Sequence, residues 1–257
     1  MTRLTDAFKN KKAFIPFVTA GDPDLSTTEA LIYAMEEAGA SVIELGIPFS
    51  DPVAEGPVIQ EADNRALAAG FRIDALFDLL EKVREKTEIP LVFLTYANPI
   101  FTYGREAFFT RCAKASIDGV IVPDVPFEER ATLLPFAREK GIALISLIAP
   151  TSHERVQMLA REAEGYIYLV SSMGVTGVRE KITTDLKEIV EKIREVSNQP
   201  VAVGFGIARP EQAAQMADIR DGAIVGSAIV KLVAKYGKTA VGPVRDYVLS
   251  MVEAVRV

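Results

Sequence analysis

The sequence predicts an α/β fold, a closed (β/α)₈ barrel of the TIM type with additional helices at the N- and C-terminal ends. Eight short apolar runs rich in Val, Ile, Phe and Tyr recur along the chain, and segments with helical spacing separate them. The length of 257 residues suits a single domain, 1–257, of the size usual for such a barrel. Closure is preferred to an open doubly wound sheet because it removes both edges and needs no change of winding direction.

The elements follow in order. A short helix over 4–8 precedes the first strand, 13–19, whose residues AFIPFVT are nearly all apolar, as expected of a parallel strand covered on both faces. A helix over 26–38 leads to the second strand, 42–47. A long polar connection then runs to a helix over 73–86. The third strand, 91–96, is followed by a helix over 105–114, and the fourth, 120–125, by one over 128–140. The fifth strand, 143–148, precedes a helix over 154–162. A second long connection, 171–184, comes between the sixth strand, 166–170, and a helix over 185–196. The seventh strand, 201–206, a helix over 210–216 and the eighth strand, 223–226, complete the barrel. Helices over 227–236 and 241–255 follow, to cap the bottom or the flank. Both long connections fall on the carboxyl face, where barrels carry their chemistry.

The most telling stretch is 42–60, VIELGIPFSDPVAEGPVIQ. Glu44 interrupts an otherwise apolar strand near its carboxyl end, and Glu55 lies in the proline-punctuated loop beyond. A buried carboxylate is costly unless it is paired, hydrogen-bonded or protonated, and the protonated form is a general acid at neutral pH.

Glycines mark the opposite rim: GVTG at 174–177, GFG at 204–206 and GS at 226–227. Loops after the last two strands, with a helix N-terminus, often build a phosphate site in such barrels. Gly177, Gly206, Gly226 and Ser227 are the candidate cradle. Phe17, Leu94, Tyr96, Tyr168 and Phe205 are expected to point into the mouth between that cradle and Glu44, which suits a flat aromatic substrate body.

Composition narrows the classes further. A formal net charge of −6 argues against a nucleic-acid partner, while leaving room for one phosphate held by backbone amides. One cysteine, Cys112, and one histidine, His153, exclude an internal disulfide and the common metal sites, so no metal is expected. No apolar run reaches the roughly 18 residues of a membrane span, and the first residues lack a secretory apolar stretch, so a cytoplasmic protein is expected.

With FIPFVTAGDP at 14–23, ELGIPFSDPVAEGPVIQ at 44–60, YANPIF at 96–101, PDVPFEE at 123–129, GVTG at 174–177, GFGI at 204–207 and GSAIVK at 226–231, the chain resembles the α subunit of tryptophan synthase over essentially its whole length. The resemblance implies a lyase that cleaves indole-3-glycerol phosphate by a retro-aldol reaction to indole and glyceraldehyde 3-phosphate. It implies Glu44 as the acid that protonates indole C3 and Glu55 as the carboxylate that takes the ring N–H proton. Phe17, Leu94, Tyr96, Tyr168, Thr176 and Phe205 match positions around the indole and the lid, and Gly177, Gly206, Gly226 and Ser227 match the phosphate site. Asp51, Pro52 and Asn98 match the face that meets the β subunit, a pyridoxal-phosphate enzyme, in an α₂β₂ complex; no cofactor is implied for this chain itself. One departure stands out. The family's loop usually reads DPxADGP, whereas this chain has Glu55, whose additional methylene moves the carboxyl by about 1.5 Å, and misplacement by around 1 Å can cost on the order of 10²-fold in rate. That substitution leaves a second reading open, a catalytically weak allosteric subunit that mainly activates the β subunit.

Overall fold

The structure, a computed structural model, describes residues 2–9, 11–150, 153–170, 182–204 and 206–256. Strand β1 (Ala13–Thr19) is buried along its entire length. It pairs in parallel with β2 (Ile43–Gly46) on one side and with β9 (Gly222–Val225) on the other. The order continues through β3 (Leu91–Leu94), β4 (Gly119–Ile121) and β5 (Ala143–Leu144) in one direction, and through β8 (Val201–Gly204), β7 (Ile167–Val170) and β6 (Ser146–Ile148) in the other.

The two ends of that order are consecutive in the chain. The expected fifth strand is broken at Ile145: its first piece pairs with β4 and its second with β7. The Ile145 amide still donates to the Val120 carbonyl at 2.9 Å. One run of sequence thus serves both neighbours in turn, and the sheet closes into the predicted barrel.

Alternation along the strands separates an inner core from an outer one. Inside the barrel, Ala13, Ile15, Val42, Val92, Ile121, Tyr166, Tyr168 and Ile224 pack together with Leu4 from helix α1 (Arg3–Asp6) and Ala7 just after it. The Phe8 ring lies 5.6 Å from that of Tyr166, so the N-terminal segment plugs the amino end of the barrel. Outside, Ile43, Leu45, Phe93 and Val120 meet the helices α2 (Leu25–Glu37), α4 (Ile73–Val83) and α6 (Arg105–Lys114). Cys112 belongs to this outer core, and burial pushes its thiol pKa up, which suits a packing residue.

Two connections hold helices that the sequence reading treats as loop, α3 (Pro57–Ala68) and α5 (Ala97–Tyr103). Helix α3 begins with Pro57 at its first position, where the missing N–H costs nothing. Its buried face is Ile59, Ala62, Asp63 and Ala66. A carboxylate in the apolar stripe weakens the periodic signal, which explains the omission. The expected helix over 128–140 divides into a 3₁₀ turn, Phe127–Thr132, and α7 (Leu134–Glu139). Helices α8 (His153–Arg161), α9 (Ile182–Arg194) and α10 (Pro210–Ile219) fall close to expectation. Of the last two, α11 (Ser227–Tyr236) packs on α3 and β1 at the mouth, and α12 (Val241–Arg256) on α2 and α10 along the flank. The expected 171–184 connection lies outside the described residues up to position 181.

Candidate active site

Glu44 is set in the barrel by its neighbours. Ile43 and Leu45 face the outer core and Val42 the inner one, so Glu44, two residues beyond Val42, turns inward. It has no exposed surface. The Tyr166 hydroxyl donates to Glu44 Oε1 at 2.5 Å, and Glu44 Oε2 has no hydrogen-bond partner among the described residues. Burial drives the carboxyl pKa from 4.5 up to about 8, against the opposing pull of the Tyr166 bond. Glu44 is therefore mostly protonated near neutral pH, with one oxygen anchored and the other facing the interior.

The aromatic walls stand beside it. Phe17 pairs in register with Glu44. Tyr168 is buried, and burial together with the charge of Glu44 raises its phenol pKa well above the ordinary value. Both rings need glycine behind them. A Cβ at Gly46 would come within 2.6 Å of Phe17 Cζ, and one at Gly204 within 2.5 Å of Tyr168 Oη. Gly226 serves the same ring as Gly46, since a Cβ there would lie 3.3 Å from Phe17 Cδ1. Phe17 and Leu94 then pack on Ile59 and Ala62 of α3 and on Val230 of α11, which joins the barrel mouth to the loop of Glu55.

Glu55 sits just before α3, half-buried, and its carboxyl meets those of its surroundings. Burial raises its pKa, while interactions with Asp63 and Tyr96 lower it. Asp63, only 2% exposed, is pushed up to about 9, first by burial and then by Glu55. Tyr96 accepts from the Ala54 amide at 3.3 Å, and burial plus the charge of Glu55 raise its phenol above the ordinary range. Its ring lies 5.3 Å from that of Phe49. At the opposite rim, Gly226 and Ser227 open α11, whose first amides have no acceptor within the helix, and Gly206 has a left-handed φ of 72°.

The described structure thus gathers Glu44, Phe17, Leu94 and Tyr168 at the mouth, with Glu55 and Tyr96 beside α3. Thr176, Gly177 and Phe205 lie outside the described residues. Asp51 is exposed and accepts from the Ser50 hydroxyl, Pro52 is partly exposed, and Asn98 accepts from Thr102. Beside them, Val53 is 76% exposed and Phe101 is also open, an apolar accent on that face. A cavity of about 180 Å³ lies elsewhere, bounded by Pro126, Phe127, Leu133 and Leu159; part of the PDVPFEE motif lines it, but none of the candidate site residues does.

Two residues escaped the sequence reading. Tyr166 is two positions before Tyr168 and so shares its inward face, and that alternation was the available signal. Asp63 falls at the 59, 62, 63, 66 spacing of a helix stripe, where a carboxylate is out of place.

Comparison with known proteins gives one consistent answer. The family model described as tryptophan synthase alpha chain matches residues 4–253. The tryptophan synthase alpha chain of Lactiplantibacillus plantarum is 52% identical over 252 residues, covering 98% of this chain and 95% of that protein. The corresponding protein of Lacticaseibacillus casei is 50% identical over 247 residues, covering 96% and 93%. Among solved structures, the tryptophan synthase alpha chain of Legionella pneumophila superposes with a TM-score of 0.88 at 35% identity, covering 99% of this chain and 97% of that one. A chain of the tryptophan synthase α₂β₂ complex from Pyrococcus furiosus superposes at 0.87 and 36% identity, covering 95% and 99%.

Proposed function

The chain belongs to the tryptophan synthase alpha chain family, and from that premise we propose that it cleaves indole-3-glycerol phosphate reversibly to indole and glyceraldehyde 3-phosphate, with Glu44 and Glu55 as its two acid–base groups. Its place is in tryptophan biosynthesis, as the α subunit. The observation that carries the reaction is the state of Glu44: buried, anchored through one oxygen by Tyr166, and raised to about 8.

A carboxyl in that state has a proton to give at neutral pH. Passing it to indole C3 makes the ring an electron acceptor, and Glu55 takes the ring N–H proton to leave a neutral indolenine. Glu44, now a carboxylate, removes the proton of the glycerol hydroxyl. The O–H electrons form the aldehyde, the bond between C3 and the side chain breaks, and its electron pair restores the aromatic ring as the nitrogen recovers its proton from Glu55. Both carboxyl groups return to their starting states, and the proton count balances.

The walls and the cradle divide the substrate between them. Phe17, Leu94, Tyr96 and Tyr168, with Phe205 and Thr176, hold the indole, so that its apolar faces replace water around a reaction whose charges are transient. Gly206, Gly226 and Ser227, with Gly177, hold the phosphate on the N-terminal amides of α11. Asp51, Pro52 and Asn98 are proposed to meet a β subunit in an α₂β₂ complex. The exposed Val53 and Phe101 beside them and the similarity to a chain of the Pyrococcus furiosus α₂β₂ complex support that reading.

Glu44→Gln tests the assignment directly. The amide keeps the shape and has no proton to give, so indole formation should fall to background while a phosphate-bearing substrate analogue still binds. Near-normal cleavage by this variant would overturn the role of Glu44.

A further inference from the structure

Glu55 and Asp63 present a charge problem that the roles above leave unsolved. Both carboxyls are withdrawn from water, and each has an oxygen, Glu55 Oε2 and Asp63 Oδ2, that is buried without a hydrogen-bond donor among the described residues. They interact with each other. Two carboxylates in such a place repel, and two neutral acids would leave Glu55 unable to accept a proton.

The groups around the pair do not resolve it. Arg65, two residues along α3, commits its guanidinium to Asp22, with Nε to Oδ1 at 2.9 Å and Nη2 to Oδ2 at 2.7 Å. Asp22 itself adds negative charge against Asp63. Among the described residues, the Tyr96 phenol beyond the end of β3, held in its neutral form, lowers the Glu55 pKa and the Phe49 amide lowers that of Asp63, but neither brings a positive charge. One proton shared between the carboxyls makes one the donor to the other and leaves a single negative charge.

We propose that Asp63 is a positioning residue for the reaction: it holds a proton that it donates to Glu55, so that Glu55 stays ionised and fixed in direction while it takes the ring N–H proton. The inference rests on the proposed role of Glu55 in the cleavage. When Glu55 accepts the ring proton the pair becomes neutral, and the return of that proton to the nitrogen restores the single charge, so Asp63 neither gains nor loses a proton over the cycle. The elevated pKa of Asp63, about 9, agrees with a proton retained at neutral pH.

The test compares Asp63→Asn, whose amide still donates but does not titrate, with Asp63→Leu, which donates nothing. Indole formation from indole-3-glycerol phosphate is followed from about pH 6 to about pH 10. Asp63→Leu should lower kcat near neutral pH on the order of 10- to 100-fold, the worth of a hydrogen bond to a charged group, with KM little changed. Below the alkaline fall set by Glu44, activity should recover in part as pH rises, because burial with one donor fewer leaves Glu55 protonated until higher pH. Asp63→Asn should restore most of the rate. It should also lose the second, outer step of the alkaline fall, near pH 9, and keep the first, which belongs to Glu44.

Equal impairment of both variants with an unchanged pH profile would mark Asp63 as merely structural and overturn the inference. So would full activity of Asp63→Leu. If that variant does not fold, Asp63→Asn decides alone: retention of the outer alkaline step refutes the shared proton. Glu55→Gln separates this from the underlying reading. Normal cleavage by it removes the role of Glu55 and the inference together, whereas its inactivity beside an indifferent Asp63→Leu defeats only the inference.

Discussion

Replacing Tyr166 by Phe removes one oxygen from the barrel interior and with it the only described donor to Glu44. The bond it deletes is short, 2.5 Å, and ends on a carboxyl with no exposed surface. Hydrogen bonds to charged groups contribute about 1.5–3 kcal/mol, and each 1.36 kcal/mol that favours the anion lowers a carboxyl pKa by about one unit. The Tyr166 bond therefore holds the Glu44 pKa one to two units, roughly, below where burial alone would put it. In Tyr166→Phe the value should rise from about 8 to about 9 or higher. The acid is then fully protonated at pH 7 but gives up its proton less readily, so kcat should drop on the order of 10-fold at neutral pH. The decisive measurement is the pH dependence of kcat/KM for indole formation by the isolated chain. Its first alkaline midpoint should move upward by about one unit or more. A midpoint that stays in place, or moves down, would refute the view that Tyr166 stabilises the ionised form.

The same burial sets a stability signature. The folded pKa of Glu44 is raised above its ordinary 4.5, so its protonated form stabilises the fold fully below that value, and the contribution is lost as pH rises through about 8. Glu44→Gln should remove this part of the pH dependence. The difference in stability between pH 5 and pH 8, measured by urea unfolding, should be smaller in the variant than in the parent by on the order of 3 kcal/mol, and by no more than about 4. Equal differences would mean that Glu44 does not titrate in this window. Gly204→Ala places a Cβ within 2.5 Å of Tyr168 Oη and must displace that ring. It should cost about 1–3 kcal/mol by thermal or urea unfolding and raise KM for the indole-bearing substrate, and an unperturbed KM would show that Tyr168 does not wall the site.

The barrel was legible because its causes are local and repeated. Most strands, such as Ala13–Thr19, are nearly continuous apolar runs, as burial on both faces requires, and most helices carry a plain apolar stripe. Glu44 was legible for the opposite reason, as a charge where the pattern forbids one. The helix α3 was missed because its buried stripe contains Asp63, a residue that local periodicity counts as polar and therefore exposed. The break of the fifth strand at Ile145 was missed because it answers to two neighbours, β4 and β7, that lie on either side of it in the closed barrel.

By itself the sequence determined the alternation of strand and helix, the place of Glu44 near the carboxyl end of a buried strand, and the family to which the chain belongs. Those follow from periodicity, from the cost of burying a charge, and from seven motifs in a set order. Tertiary structure alone decided the partners. Tyr166 reaches Glu44 across 122 positions of sequence, and Asp63 meets Glu55 because α3 folds back on the loop before it. A carboxyl's proton affinity depends on what surrounds it in space, on burial, donors and neighbouring charge, and the barrel assembles those surroundings from strands far apart in the chain.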